Sequence, residues 1–552
     1  MPGPSCAMMM LIIASKISPP CNRCVTCGKM LVKQGASISS FVIELRADSG
    51  EFMKLRDYFE HFGIEGNPFS EEDAQKDHVF QEHCIETTFH PAWDKLYGKP
   101  AEPDTAIIFG EKGSGKTALR YQMINAVKKY NDHHSDRHPL VIEYANWNPF
   151  LDHFRRRYSD KKRIEYVLGC WQLWDHIDAI LSLGMTQLAD QLLIPDEVSY
   201  PAATSKKWLD PSRLTHHKKR DLLALAAFYD QPKGDAPVVR WKQLAAKIGF
   251  FDWKSFFRRN WDMFLGAILT IVFFFVLWRL GYGVTVVAKW WFYAVILGSW
   301  FPRLWKTACR YNRAYWVTRR LRVLNLSVSS VFQRLMQFEP VDYAGISFPA
   351  RRGTDTRYEL LSRYIDVLDA LGYCGMIVMI DQVDEPYLIS GSPELMQKVL
   401  WPMFDNKLLK YPGVGFKFLL PSELLSFLER ESTDFHQRAR IDKQNLIRSL
   451  DWTGKSLYDL ANDRIRSCCE KPTTKIDDFF DPSISRARLE SSFEQMRVPR
   501  HLFKFLYRVI MSHVNAHSDG EQVWQISPTR FETEMALYLN DRRASERNVG
   551  VI

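Results

Sequence analysis

An apolar run, Thr105-Ala-Ile-Ile-Phe109, passes directly into Gly110-Glu111-Lys112-Gly113-Ser114-Gly115-Lys116-Thr117 and then into a helix-forming stretch, Ala118 to Lys129. A strand, a glycine-punctuated loop and a helix in this order force a sharp turn whose backbone can close around an anion. Glycine lets the chain curl until its N–H groups point inward, and the helix N-terminus adds a partial positive charge. Gly113 and Ser114 keep the loop small. Lys116 is then placed to reach β- and γ-phosphates, and the Thr117 hydroxyl to ligate Mg²⁺. The segment reads as a phosphate-binding P-loop. Its candidate nucleotide contacts are Gly110, Glu111, Lys112, Gly113, Ser114, Gly115, Lys116, Thr117 and Ala118, with Lys116 also catalytic. A chance glycine-rich turn is the alternative, and it leaves the flanking strand and helix unexplained.

Such a loop needs an acidic partner at the tip of a neighbouring parallel strand. Gly375-Met-Ile-Val-Met-Ile380 is a continuous apolar run, as expected for a strand buried on both faces, and Asp381-Gln382-Val383-Asp384-Glu385 follows it. Asp381 would orient the Mg²⁺ shell, through water. Glu385, with Asp384 as its rival, would polarise the water that attacks the γ-phosphate. Acidic residues also close many solvent-facing strands, so the segment gains its meaning from the glycine loop.

Four apolar residues, Asp, any residue, an apolar residue, Asp and Glu resemble the Walker B motif of the AAA+ and STAND branches of the P-loop NTPases. Upstream, Tyr58-Phe-Glu-His-Phe-Gly63 and Asn67-Pro68-Phe69 resemble the "Phe-Gly, then Asn-Pro-Phe" entry of secretion-type AAA ATPases of the ExeA kind. Downstream, Val498-Pro499-Arg500 resembles the start of the sensor 2 helix in the AAA+ lid. The resemblance implies a three-layer α/β P-loop core with a parallel sheet, an α-helical C-terminal lid, and ATP with Mg²⁺ as ligands. It also implies a nucleotide contact by Arg500 and a sensor 1 role near Ser422, although Ser422 departs from the Asn or Thr expected there. Pro-Arg opening a helix is also ordinary capping chemistry. Arg438 and Arg440 are candidates for an arginine finger acting in trans, or are solvated surface charge.

A second constraint lies between these motifs. Trp261 to Leu280 is almost uniformly apolar, and after Gly281-Tyr282-Gly283 a second run extends from Val284 to Phe301. Each is close to the roughly 20 residues that span a bilayer. Aromatic residues crowd the ends, and Lys254, Arg258 and Arg259 before and Arg303, Lys306, Arg310 and Arg313 after mark both flanks as cytoplasmic. An even number of crossings is required, because Lys116 and Asp381 must meet around one nucleotide. The second run is expected to contain Lys289, which would snorkel or face its partner helix. Two long buried helices of a soluble core are the alternative. A membrane hairpin between the two Walker motifs resembles the architecture of KAP P-loop NTPases, without their Asp-Asp and following Arg.

The 552 residues allow two or three domains, and a net charge of +9 is spread along the chain. Its basic clusters, Arg155-Arg156-Arg157 and His216 to Arg220, fit anionic lipid or solvent better than nucleic acid, for which no recognised module is evident. Residues 1–52 read as a poorly structured extension in which Cys21, Cys24 and Cys27 lack a suitably spaced fourth ligand and Cys6 is remote; Met53 is a plausible start of the working protein. The partition that follows is 53–200 for the first part of the ATPase core, 201–340 for an insert with the hairpin at 261–301, 341–452 for the second part of the core and 453–552 for the lid. The expected activity is Mg²⁺-supported ATP hydrolysis by a two-helix membrane protein, as a homo-oligomer or with an unknown protein partner. Its rival is a nucleotide-gated switch or scaffold with little turnover, kept open by Gln382, which stands where many hydrolytic relatives place the catalytic Glu.

Overall fold

A computed structural model describes residues 53–134, 137–193, 210–231, 236–250, 253–321, 328–339, 342–349, 353–469, 473–517 and 523–549. The extension 1–52, with Cys6, Cys21, Cys24 and Cys27, lies outside the described residues.

Five strands form one all-parallel sheet: β1 Ala106–Gly110, β2 His138–Tyr144, β3 Tyr373–Ile380, β4 Val414–Pro421 and β5 Asn445–Ile447, in the order β2-β3-β4-β1-β5. Every residue of β1 and β4 is buried, which is why β1 is apolar without alternation and β4 is apolar but for Lys417, whose ammonium is paired with Asp104 at 2.7 Å. Successive side chains go to opposite faces. Ile107 and Phe109 join a core with the helices Leu173–Leu193, His216–Tyr229 and Thr354–Ala370, while Ala106 and Ile108 pack with Leu119, Met123 and Val127 of the helix Lys116–His133. The molecule is therefore a mixed α/β protein with helices on both faces of a parallel sheet. The short edge strand β5 was not among the expected elements; its three residues are half-buried and carry little pattern.

Register brings the functional ends together. Gly110 pairs with Pro421 and Ile380 with Phe418, so the glycine loop, Ser422 and Asp381 all leave the sheet at its carboxyl edge, where open α/β sheets bind ligands.

A separate apolar core joins Tyr58, Phe59, Ile64 and Phe69 to residues of the C-terminal helices Gly454–Ser467 and Pro499–Val514, among them Leu457, Phe503 and Leu506. The first of these helices is capped by the Thr453 hydroxyl, which accepts the Ser456 N–H. The second opens on Pro499, whose missing N–H costs nothing at a first turn. The entry segment is thus built into the C-terminal helical unit.

The insert holds two packed helices, Trp253–Arg279 and Trp290–Arg320. The Thr270 and Ser299 hydroxyls lie 3.1 Å apart. Near the base, Asp262 accepts from Arg303 (3.3 Å) and Lys306 (3.4 Å). Asn260–Arg279 has the length and composition to cross a membrane, with a mean hydropathy of 2.1 and only 17% of the stretch buried. It is the one such helix among the described residues, where two were expected. The second helix starts at Trp290 instead of Val284, and Pro302, Arg303 and Lys306 shorten its apolar part. Lys289 is not inside a span: it caps that helix at the exposed turn.

Candidate functional site

The sequence between Gly110 and Thr117 folds as its composition requires. Gly113 and Gly115 take φ of +91° and +92°, a region L side chains avoid, and the chain then enters the helix Lys116–His133. Lys116 folds back over the loop, its Nζ donating to the carbonyls of Gly110 (2.7 Å) and Glu111 (2.9 Å). Burial lowers its pKa, opposed by the carboxylates of Asp381 and Asp384. The Ser114 hydroxyl is buried with no hydrogen-bond partner among the described residues. It is an orphaned donor in a glycine cradle, the arrangement an anion would complete.

Asp381 follows β3 directly and is buried. Thr117 Oγ1 donates to its Oδ2 at 3.2 Å, and Arg120 Nη1 lies 3.2 Å from the same oxygen. Burial raises the Asp381 pKa, and Arg120 is the largest influence holding it down. The Trp147 indole donates to the Asp381 carbonyl (3.0 Å), fixing the strand end.

Glu385 is exposed, and Gln382, at φ +56°, donates to its Oε1 at 3.0 Å. Burial raises the Glu385 pKa, with Gln382 opposing and Asp384 and Asp381 adding to the rise.

These groups line one cavity of about 1260 Å³, open mouth included. Lys112 to Ala118, Asp381, Asp384, Glu385 and Arg500 all face it; Gly110 and Glu111, expected to contact the nucleotide, do not line it. The Arg500 N–H donates to the Gly113 carbonyl (3.3 Å), and a Cβ on Gly113 would fall 2.6 Å from the Arg500 Cβ. Ser422 is apart from the lining, though its N–H donates to the Gly110 carbonyl (3.1 Å). Arg438 and Arg440 are exposed and outside the cavity.

The donor set suits Mg²⁺. Among the described residues no three His, Cys, Asp or Glu side chains converge as a metal cage. A hydroxyl and a carboxylate beside a glycine cradle are what an ion that keeps waters and substrate oxygens requires.

Several contributors escaped the sequence reading. Arg120 and Glu143 flank Asp381, the Glu143 Oε2 lying 3.8 Å from the Arg120 Nε. Trp452 donates its indole N–H to the Ser114 carbonyl (2.9 Å). Arg464, buried, bridges Asp77 (2.6 Å) and the Pro68 carbonyl (2.7 Å), tying the entry segment to the cavity wall. A helical period marks only Arg464's place on its segment, and nothing in spacing marks the others.

No protein-family model, curated protein or solved structure matches this chain.

Proposed function

We propose that this chain is a membrane-anchored P-loop ATPase of the AAA+/STAND class that binds ATP with Mg²⁺, hydrolyses it to ADP and phosphate, and couples the cycle to a conformational change. The observation that carries this reading is the Thr117 to Asp381 contact at 3.2 Å between residues 264 positions apart. It joins a glycine cradle to a strand-end carboxylate, the pairing that Mg²⁺-nucleotide chemistry requires.

In this reading the loop amides and Lys116 stabilise charge on the transferring phosphoryl group. Thr117 and Asp381 hold the metal shell, and Arg500 closes the loop from the lid. Glu385, with Asp384 beside it, orients the attacking water. Bound Mg²⁺ supplies charge neutralisation at the phosphates. The apolar helix Asn260–Arg279 is the anchor, and the packed return helix would bring the chain back to the cytoplasmic face it left. Arg438 and Arg440, exposed, are available to a neighbouring copy.

A second reading, a nucleotide-gated switch with little hydrolysis, is favoured by one contact: Gln382 occupies the Glu385 carboxylate at 3.0 Å. Mg²⁺-dependent phosphate release by the full chain in detergent, compared with Lys116→Ala and Glu385→Gln, separates the two. Turnover lost in both variants supports the ATPase. Lys116-dependent binding without wild-type turnover supports the switch, and no binding at all removes both.

A further inference from the structure

Arg120 lies one turn beyond Lys116 and Thr117 on the same helix, and its side chain is 4% exposed. Its guanidinium stands between two carboxylates: Asp381, 3.2 Å from Nη1 with 3% of its side chain exposed, and Glu143 at the end of β2, 3.8 Å from Nε with 28% exposed. Neither contact has hydrogen-bond geometry, since Nε and Nη1 both lack a bonded partner among the described residues. A buried arginine in a purely structural role is expected to satisfy its fork, because unsatisfied charged donors are costly. This one meets its carboxylates by charge, at the oxygen that also accepts from Thr117, with its Cζ 5.1 Å from the centre of the Tyr121 ring.

We propose that Glu143, Arg120 and Asp381 form a charge relay that sets the Mg²⁺ requirement of nucleotide binding, with Arg120 a positioning residue acting through Asp381. The inference rests on the nucleotide reading of this site. Arg120 compensates Asp381 before any metal arrives, so a cation approaching that carboxylate meets a competitor for it and an additional repulsive charge. Glu143 draws the guanidinium toward the outer end of β2 and weakens the competition.

The relay makes predictions of opposite sign. A fluorescent ATP analogue is titrated against the full chain in detergent across a Mg²⁺ series, and the Mg²⁺ concentration giving half-maximal binding is read for each protein. Arg120→Gln lowers it, by about five- to tenfold for one charge removed at close range in a partly buried site. Arg120→Lys, which keeps the charge, stays near wild type. Glu143→Gln, at a partly exposed position that does not threaten folding, raises it by about two- to threefold through the same coupling. A merely structural Arg120 would make Lys and Gln behave alike and leave Glu143→Gln silent. Mg²⁺-dependent binding whose half-saturation is the same in wild type, Arg120→Gln and Glu143→Gln overturns the relay alone. Failure of the wild type to bind nucleotide overturns the site reading and the relay with it.

Discussion

Two buried arginine–aspartate pairs sit on opposite sides of the sheet and are built differently. In the helical layer, Arg357 engages Asp178 with both ends of its fork, Nε at 3.2 Å and Nη2 at 3.1 Å, and Tyr229 donates a further bond to the same carboxylate at 2.7 Å. At the carboxyl edge, Arg120 approaches Asp381 once, without hydrogen-bond geometry. Both pairs are desolvated, so both must cancel charge. The scaffold pair gathers three hydrogen bonds on one carboxylate and locks two helices, Leu173–Leu193 and Thr354–Ala370. The site pair leaves Asp381 with an oxygen uncommitted to Arg120 or Thr117. Full satisfaction gives rigidity; partial satisfaction leaves room for a ligand.

The largest expected effect follows from that contrast. Arg357→Ala strands Asp178 without its cation and should cost about 3–5 kcal/mol, the usual penalty for breaking a buried pair from one side. Arg120→Ala should cost clearly less, because fewer formed bonds are lost. Chemical denaturation of both variants checks this, and equal losses would erase the distinction between scaffold and site.

Next is pH. His176 is fully buried beside Tyr144, whose hydroxyl lies 3.4 Å from Nδ1, and its Nε2 lies 2.7 Å from the Val399 carbonyl. Burial holds its pKa down at about 3, against an ordinary value of 6.5. The unfolded chain therefore takes up a proton near pH 6.5 that the folded chain refuses until about pH 3. Stability present above that window is lost as pH falls, by about 2 kcal/mol between about pH 7 and pH 5. Melting of His176→Gln should show a flatter acid limb than wild type. In the site the sign of the shift is reversed: Glu385 is raised, so any step needing its carboxylate fails at a higher pH than for an ordinary Glu. A wild-type acid limb unchanged by His176→Gln would place the scaffold's pH sensitivity elsewhere.

The third effect separates loop from scaffold. Gly113→Ala forces a Cβ at φ +91° to within 2.6 Å of the Arg500 Cβ. Strain of this kind costs about 1–3 kcal/mol, and nucleotide affinity should fall at least about tenfold. Paired denaturation and binding curves would show loss in both, whereas a stability change without an affinity change would detach the loop from nucleotide binding.

What was legible in the sequence and what was not follows from the range of the forces involved. The strands β1 and β3 and the loop Gly110–Thr117 announce themselves because apolar runs and glycine spacing are local signals, and the strand boundaries moved by at most two residues. That Lys116, Thr117, Asp381, Glu385 and Arg500 would face one cavity was also readable, from motif chemistry. Arg120 was not: on a helix it looks like solvated charge, and only the fold sets it against β2 and β3. The packing of Tyr58 to Phe69 on the C-terminal helices was hidden for the same reason. Lys289 was misplaced because hydropathy averages across a turn, whereas Gly281, at φ +72°, lets the chain reverse before it.

The smallest effect tests whether the link that Trp452 makes between Arg497 and the glycine loop matters to that loop. Trp452 donates its indole N–H to the Ser114 carbonyl at 2.9 Å, its backbone N–H donates to the Arg497 carbonyl at 3.1 Å, and its ring meets His90 edge-on at 5.2 Å. Trp452→Phe keeps the backbone bond and most of the ring while deleting one hydrogen bond. A single hydrogen bond of this kind contributes about 0.5–1.5 kcal/mol net, so the stability cost should be of that size. Binding should respond more than stability does, because the same carbonyl belongs to the residue whose hydroxyl is left unpaired in the cradle. A faster release of fluorescent nucleotide from Trp452→Phe, at nearly unchanged melting temperature, would mean that Trp452 holds the loop in its anion-ready shape. Equal release rates would mean that the glycines alone hold it, and the division between scaffold and site would then run through the loop itself.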